Sequence, residues 1–499
     1  MEVQILVKAV VSITLVGILG GLVFRLYREL VGNPEKIRSA LRKQGIGGPP
    51  PTLLLGNVLE MKKARTATNC ANALFPFIGP WHNKYGHVFV FSIGVIPILH
   101  VTQPDMVREI TTCTSLDSYL AKNRAYLLGR GILTSNGNQW AHQRKIIAPE
   151  FHGQGIRGMI KLIRESAMTL IDVWNNMIEA KGGVADIKID QHMRSFSGDV
   201  ISKACFGSDY SKGGEIFVKL RALLECASKK GFSFGIPFMK YLPTKSNREA
   251  WALEKDLRTL ILRVVKERNE SGDEKDLLQT VLEGAKNSEL SPDAIDSFIV
   301  DNCKNIYLAD FETTALAATC CLMLLAANPE WQERVRGEVL GVCDGQAPDS
   351  DTIRKMKVLS MAINESLRLY PPVAIMSREV FEEMKFGGVH VPKGVNIWAL
   401  VLTLHTDSEV WGADSYQFNP DRFANGIAGA CKLPHLYMPF GVGPRVCLGQ
   451  HLASAELKNL LSLILSNFTF TLSPTYIHSP TLNLVIEPEH GVDLNVKKL

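Results

Sequence analysis

The chain has 499 residues, 46% of them hydrophobic and 21% charged, with a formal net charge of +5. That composition builds a large core and excludes a disordered chain, and the small charge with no dense Lys/Arg tract excludes nucleic acid as the main ligand. The ten cysteines have irregular spacing and no Cys-x-x-Cys pair, which excludes a zinc ribbon or a disulfide framework and fits a reducing compartment.

At the amino terminus, residues 5–24 are apolar or small except for Lys8, Ser12 and Thr14. About twenty such residues span the hydrocarbon core of a bilayer. Arg25, Arg28, Lys36, Arg38, Arg42 and Lys43 follow, so the positive-inside rule leaves the C-terminal bulk on the cytoplasmic side. Basic residues stand where a signal peptide would carry a small-residue cleavage site, which favours an uncleaved anchor. The expected organisation is an anchor over 1–25, a basic and Pro/Gly-rich linker over 26–51, and one body over 52–499. Pro49, Pro50 and Pro51 make the end of that linker a stiff connector.

Within the body, short β-like runs are predicted at 88–93, 96–101, 389–391 and 395–400, as edges of one small sheet. Apolar residues at three-to-four spacing predict helices over 155–181, 190–206, 250–270, 292–327, 330–342 and 355–370. The fold class is mainly α with a small β region, in one domain. The longest helix opens on Ser291-Pro292, an N-cap with proline at the first helical position, and stops at Asn328-Pro329. Its apolar tail, 315–327, is too short for a second membrane span and reads as a core helix.

Four groups of residues carry chemistry. Trp140 and Arg144 are four apart on a predicted helix, so indole and guanidinium share a face suited to an anion. In the middle of the longest helix stand Ala309-Asp310-Phe311-Glu312-Thr313-Thr314, where a carboxylate beside a hydroxyl can relay protons through water in a dry pocket. Glu365 and Arg368 are three apart on a partly buried helix face, and Arg422, in Pro420-Asp421-Arg422-Phe423, can join them. Last comes Phe440-Gly441-Val442-Gly443-Pro444-Arg445-Val446-Cys447-Leu448-Gly449, one cysteine behind a glycine-rich turn and just before a predicted helix. Gly441, Gly443 and Gly449 can take positive φ and let the backbone approach closely. The helix start favours a thiolate at Cys447, and Arg445 offers a fork for a carboxylate. The arrangement can hold one thiolate against a large planar cofactor.

In this order these motifs resemble those of the cytochrome P-450 superfamily, the haem-thiolate monooxygenases, across residues 45 to 499. The resemblance implies the single haem-thiolate fold, an NADPH/O2-dependent monooxygenase, and haem b with Cys447 as the axial thiolate that favours O–O cleavage. It implies that Phe440 and Gly441 belong to the cofactor loop, and that Trp140, Arg144, Arg378 and Arg445 hold the haem carboxylates, which are costly to bury without partners. Glu365, Arg368 and Arg422 match a structural triad, and Glu312 and Thr313 match the residues that deliver protons to bound dioxygen. Asp310 departs from the pattern. The family has glycine there, which leaves room above the haem and lets the helix deform. An aspartate adds bulk and charge to the oxygen pocket.

The pocket is expected to be lined by 119–133, 305–309, 373–376 and 487–491. The run Lys145-Ile146-Ile147-Ala148-Pro149-Glu150-Phe151 resembles a plant branch of oxidases acting on gibberellins and related di- and triterpenoid acids. The implied partners are an NADPH-dependent haem-thiolate reductase, a hydrophobic small molecule that is hydroxylated or epoxidised, and membrane lipid around 5–24. The implied place is the endoplasmic reticulum membrane, single-pass. Arg144, Lys145 and Lys458 are expected on a basic face that meets an acidic reductase. Two rival readings stand beside this one. A haem-thiolate isomerase or dehydratase needs no external electrons, and Glu312 and Thr313 argue against it. A catalytically impaired haem-binding protein draws weight from Asp310.

Overall fold

The computed structural model describes residues 2–63, 70–118, 128–206, 210–228, 241–271, 277–286 and 291–499. The apolar amino-terminal stretch is a helix, Glu2–Tyr27, continued through a π-turn at Arg28–Gly32 into Asn33–Arg42. Its side chains face outward, with Ile13 72% and Val16 70% exposed, which makes it a candidate membrane span.

The stretch expected as a linker is helical and docked over its second half. Leu41 is fully buried, and Ile37 packs on the core from the same face. Arg38 donates to Ser92 Oγ at 2.7 Å, and the Gln44 amide exchanges two hydrogen bonds with the His390 backbone, each 2.8 Å. Past the helix, Gly47 accepts the Val90 N–H at 2.9 Å, and a Cβ on Gly48 would stand 1.8 Å from the Val90 carbonyl oxygen. The segment is part of the body because Ile37 and Leu41, four apart, give it an apolar stripe.

Strands Val88–Ile93 and Ile96–Val101 pair antiparallel in full register. The sheet continues through Asn396–Leu400, Ile375–Glu379 and Asp117–Ser118, with the Ile96–Val101 to Asn396–Leu400 pairing parallel. Val389–Val391 is not part of it. It pairs with Met384–Phe386 in a separate hairpin turned by Gly387 and Gly388, at φ +54° and +84°. Near the C-terminus, Asp493–Lys498 lies between Val184–Lys188 and Phe468–Leu472, and Pro480–Leu482 pairs with Ile486–Pro488.

The predicted helices stand as Gln154–Ala180, Ile189–Phe206, Lys245–Ser271, Pro292–Ala327, Pro329–Cys343 and Lys357–Leu369. Met356 separates the last from a short turn of helix, Thr352–Lys355. Pro292–Ala327 runs 36 residues from an extended Ser291 to Asn328, and its apolar tail is buried in protein. It packs against Ile189–Phe206 on one side and against Lys357–Leu369 and Gln450–Asn467 on others, which places residues 309–314 at the centre of the molecule.

Candidate functional site

Cys447 closes a turn built on two glycines. Gly441 and Gly443 have φ of +69° and +76°, and a Cβ on Gly443 would lie 2.1 Å from the Thr111 carbonyl oxygen. Only glycine lets the turn press so closely on the helix Pro104–Thr112. Gly449 differs from the expectation: its φ is −86° and it serves as N-cap of Gln450–Asn467. The Cys447 N–H donates to Phe440 O at 2.8 Å and the Gly441 N–H to Met438 O at 2.9 Å.

Of the ten cysteines only Cys447 is exposed. Even so, burial is the largest influence on its thiol and pushes it up, with the Asp310 charge adding to the shift. The N–H groups of Gly449 and Gln450, together with Arg144, pull the other way without prevailing. The thiol is thus accessible on its turn yet has enough protein around it for burial to dominate its pKa. The helix start alone does not make it a thiolate; metal coordination deprotonates such a thiol.

A buried ion-pair cluster underlies the turn. Arg368 donates from Nε and Nη2 to the two Glu365 oxygens at 2.7 and 2.8 Å, and both side chains are fully buried. Arg422 Nε lies 3.4 Å from Glu365 Oε1, and the Asn419 N–H donates to that same oxygen at 2.9 Å. Arg368 also donates to the carbonyls of His405, Ser415 and Gln417, and Arg422 to those of Trp411 and Asp414. The three residues read from the sequence as a triad thus meet as one cross-linked unit. His405, which carries no sequence signal, joins this unit to the turn: Nδ1 faces the Arg368 carbonyl at 3.2 Å and Nε2 accepts the Met438 N–H at 2.9 Å. Burial, then Arg368, pushes His405 down to about 3, so it stays neutral.

The guanidiniums expected around a haem gather beside the turn. Arg445 stacks on the Trp140 ring at 4.2 Å and Arg144 stands 5.6 Å from it. Arg144 donates to Val446 O at 2.9 Å; Arg445 donates to Ser135 O and Asn136 Oδ1 at 3.0 and 2.9 Å. Arg378, on the strand Ile375–Glu379, donates to Ser377 O at 3.0 Å. Burial lowers the pKa of both Arg144 and Arg378, and among the described residues no carboxylate forms an ion pair with either. Half-buried guanidiniums of this kind suit an anionic cofactor edge. Together with the accessible Cys447 thiol, they fit a haem.

On the long helix the four polar residues have distinct surroundings. Thr313 Oγ1 donates to Ala309 O, one turn back, at 2.6 Å. Asp310 has one carboxyl oxygen buried with no hydrogen-bond partner, and burial pushes its pKa up to about 7. Glu456, on Gln450–Asn467, is fully buried with both oxygens lacking a hydrogen-bond partner. Burial, then Asp310, raises it well above the usual carboxylate range, against a smaller opposing effect of the Thr314 hydroxyl. Asp310 and Glu456 are thus a pair of neutral-leaning acids across two helices. Glu456 belongs to no sequence motif; it stands among the buried Leu452, Ala455, Leu457, Leu460 and Leu461 on its helix.

Glu312 has a different setting. Its Oε1 accepts from Arg221 at 3.0 Å and its Oε2 from Arg194 at 3.4 Å. Glu487 shares the same two arginines, at 3.1 Å from Arg194 and 3.6 Å from Arg221, and accepts from the Asn483 amide. Burial lowers the Arg221 pKa, but Glu312, Glu487 and Glu225 together outweigh it and leave it raised. These arginines lie 118 and 91 residues from Glu312 in the chain, so no local spacing announces them.

Of the expected pocket walls, 119–127 lies outside the described residues. The rest of that loop is tied to the long helix: Arg130, Ile132 and Leu133 N–H groups donate to the side chains of Asp301, Asn302 and Asn305. Val373 is exposed and Met376 buried, and Gly491 holds the C-terminal turn at φ +80°. The expected basic face is not formed by all three of its members. Arg144 turns inward to Val446 O, and Lys458 donates to Ile353 O at 3.0 Å, with burial lowering its pKa; Lys145 is exposed.

A long helix crossing the core above an accessible thiol, with guanidiniums around both, defines a haem-thiolate protein. Residues 46–495 match the family model described as Cytochrome P450. The chain is 48% identical to "Cytochrome P450 714C2" of Oryza sativa subsp. japonica, over 93% of this chain and 94% of that protein. It is 46% identical to "Cytochrome P450 714B2" of the same organism, over 100% and 98%, and 41% identical to "Cytochrome P450 714A2" of Arabidopsis thaliana, over 98% of each. The chain belongs to the cytochrome P450 family, whose members are haem monooxygenases with an axial cysteine thiolate.

Proposed function

We propose that this chain is a membrane-anchored monooxygenase that hydroxylates or epoxidises a hydrophobic small molecule, a gibberellin-type diterpenoid, with Cys447 as its axial ligand. The observation that carries the site assignment is the single exposed cysteine on a turn held by Gly441, Gly443 and the Met438–His405 hydrogen bond. Haem iron bound to a thiolate supplies oxygen activation, and the protein supplies orientation, protons and dryness. Arg144, Arg378 and Arg445 would hold the two carboxylates of the haem, with the Trp140 ring against Arg445 and Arg144. Thr313 Oγ1, donating to Ala309 O, keeps its lone pairs open to a water, and Glu312, bonded to Arg194 and Arg221, is the carboxyl group of the relay. Dioxygen and NADPH are consumed with the substrate; one oxygen atom enters a C–H or C=C bond and the other leaves as water.

The helix Glu2–Tyr27 supports single-pass anchoring in the endoplasmic reticulum membrane, with the body cytoplasmic and served by an NADPH-dependent reductase. The proposed units are the anchor over 1–25 and a catalytic body over 52–499 that the docked helix Asn33–Arg42 and the chain after it join. The diterpenoid class rests on the resemblance of residues 145–151 to the plant branch. Incubating microsomes that contain the chain and its reductase with NADPH, O2 and diterpenoid acids, alcohols and hydrocarbons tests the reading. A product one oxygen atom heavier, dependent on NADPH, is expected. A rearranged product formed without NADPH favours the isomerase. The buried, partnerless Asp310 oxygen favours the impaired reading, in which NADPH is consumed for peroxide alone.

A further inference from the structure

From 302 to 326 every residue of the long helix is buried except Ala309, Asp310 and Thr313. Asp310 and Thr313, three apart, share a side of the helix, and the Asp310 charge acts on the Cys447 thiol, which sets that side toward the cysteine turn. Asp310 also reaches inward, with one carboxyl oxygen buried and without a hydrogen-bond partner. Thr314, four residues on, is buried with its hydroxyl oxygen in the same condition, and Glu456 is fully buried with both oxygens so. Glu456 responds to the Asp310 charge and to the Thr314 hydroxyl, so these four oxygens gather where the long helix packs on Gln450–Asn467.

The polar neighbours are engaged elsewhere. Thr313 Oγ1 donates to Ala309 O, Ser197 Oγ donates to the Asp310 carbonyl at 3.1 Å, and Glu312 is bonded to Arg194 and Arg221. Buried polar groups are costly when unpaired, and a polar site with several donors and acceptors around it holds water. A metal cation suits the cluster less well, because burial pushes both carboxyls toward the neutral form.

We infer that Asp310, Thr314 and Glu456 bind water between the long helix and Gln450–Asn467, and that Asp310 extends this water site to the oxygen side of the haem. A glycine at 310 would leave Thr314 and Glu456 without that link. The inference rests on the proposed haem-thiolate site and adds a polar contact to it.

The test uses the holoprotein and needs no substrate. A high-resolution crystal structure is expected to show ordered water within hydrogen-bond distance of Thr314 Oγ1 and a Glu456 oxygen. Glu456 bonded directly to Asp310 or Thr314, or a metal ion among the three, overturns the water site. The link to the haem is read from the infrared spectrum of the reduced, carbon monoxide-bound full-length protein, because a hydrogen-bond donor beside the ligand lowers its C–O stretch. Asp310→Leu, similar in size and apolar, is expected to raise that stretch and abolish its shift in D2O. Asp310→Asn still bonds water and is expected to keep both near the natural values. An unchanged stretch in folded Asp310→Leu overturns the link. A carbon monoxide adduct without the thiolate-type band refutes the haem-site reading instead, and the crystallographic result still decides the water site.

Discussion

His405 Nε2 accepts a hydrogen bond from the Met438 N–H at 2.9 Å, two residues before Phe440 and the cysteine turn. The same ring faces the Arg368 carbonyl at 3.2 Å, so one neutral, fully buried imidazole fastens the turn to the Glu365–Arg368–Arg422 cluster. His405→Phe keeps the ring volume and stacking on Tyr437 but leaves a buried N–H and a buried carbonyl without this partner. The expected loss is about 1–3 kcal/mol in urea unfolding, with less haem retained per chain. Unchanged stability with full haem content would show that the turn does not depend on this bridge.

Glu365 is the fully buried carboxylate of the cluster, and Asp414, more exposed, pairs with Arg422 alone. Glu365→Ala strands Arg368 without its bidentate partner and is expected to cost about 3–5 kcal/mol, enough to abolish accumulation of the holoprotein. Arg422→Ala, whose contact with Glu365 is longer at 3.4 Å, is expected to cost less in the same unfolding assay.

Asp310 predicts a pH dependence. Its folded pKa is raised to about 7 by burial, so the folded state holds a proton that the unfolded chain has released. Its penalty is absent below about pH 4, grows as pH rises through about 7, and is constant above. Asp310→Asn removes the group, so its stability advantage over the natural protein is expected to be larger at pH 8 than at pH 5, by on the order of 1–3 kcal/mol. An advantage independent of pH would mean that Asp310 ionises normally. In turnover, Asp310→Gly is expected to raise product per NADPH and lower peroxide; an unchanged ratio would clear Asp310 of any role in coupling.

Arg144 and Arg378 lack carboxylate partners among the described residues. Removal of either, as Arg144→Gln or Arg378→Gln, is expected to speed haem release about 10- to 100-fold, the worth of one or two charge-assisted hydrogen bonds. Trapping released haem with an apo-globin measures it. Arg108→Gln, an exposed surface pair with Asp105, is the control expected to change nothing.

Much of the frame is legible because its punctuation is local. Ser291-Pro292 and Asn328-Pro329 delimit the 36-residue helix to the residue. Gly441 and Gly443 announce the tight turn at Cys447, and Trp140, Arg144 and Arg445 gather as their motifs imply. What local pattern does not carry is pairing across the chain. Arg194 and Arg221 reach Glu312 and Glu487 only once four separate elements pack together. Asp310 was conspicuous as a departure, but its coupling to Glu456 depends on the contact between two helices. Residues 33–42 looked like a linker because basic residues hide a two-residue apolar stripe.

The identity of the axial ligand is the point on which the account turns. The reduced holoprotein under carbon monoxide is predicted to show the long-wavelength absorption band of thiolate-ligated haem. Cys447→Ser is predicted to lose that band, while Cys431→Ser, at a half-buried cysteine away from the turn, keeps it in full. The same band persisting in folded, haem-loaded Cys447→Ser would contradict the account.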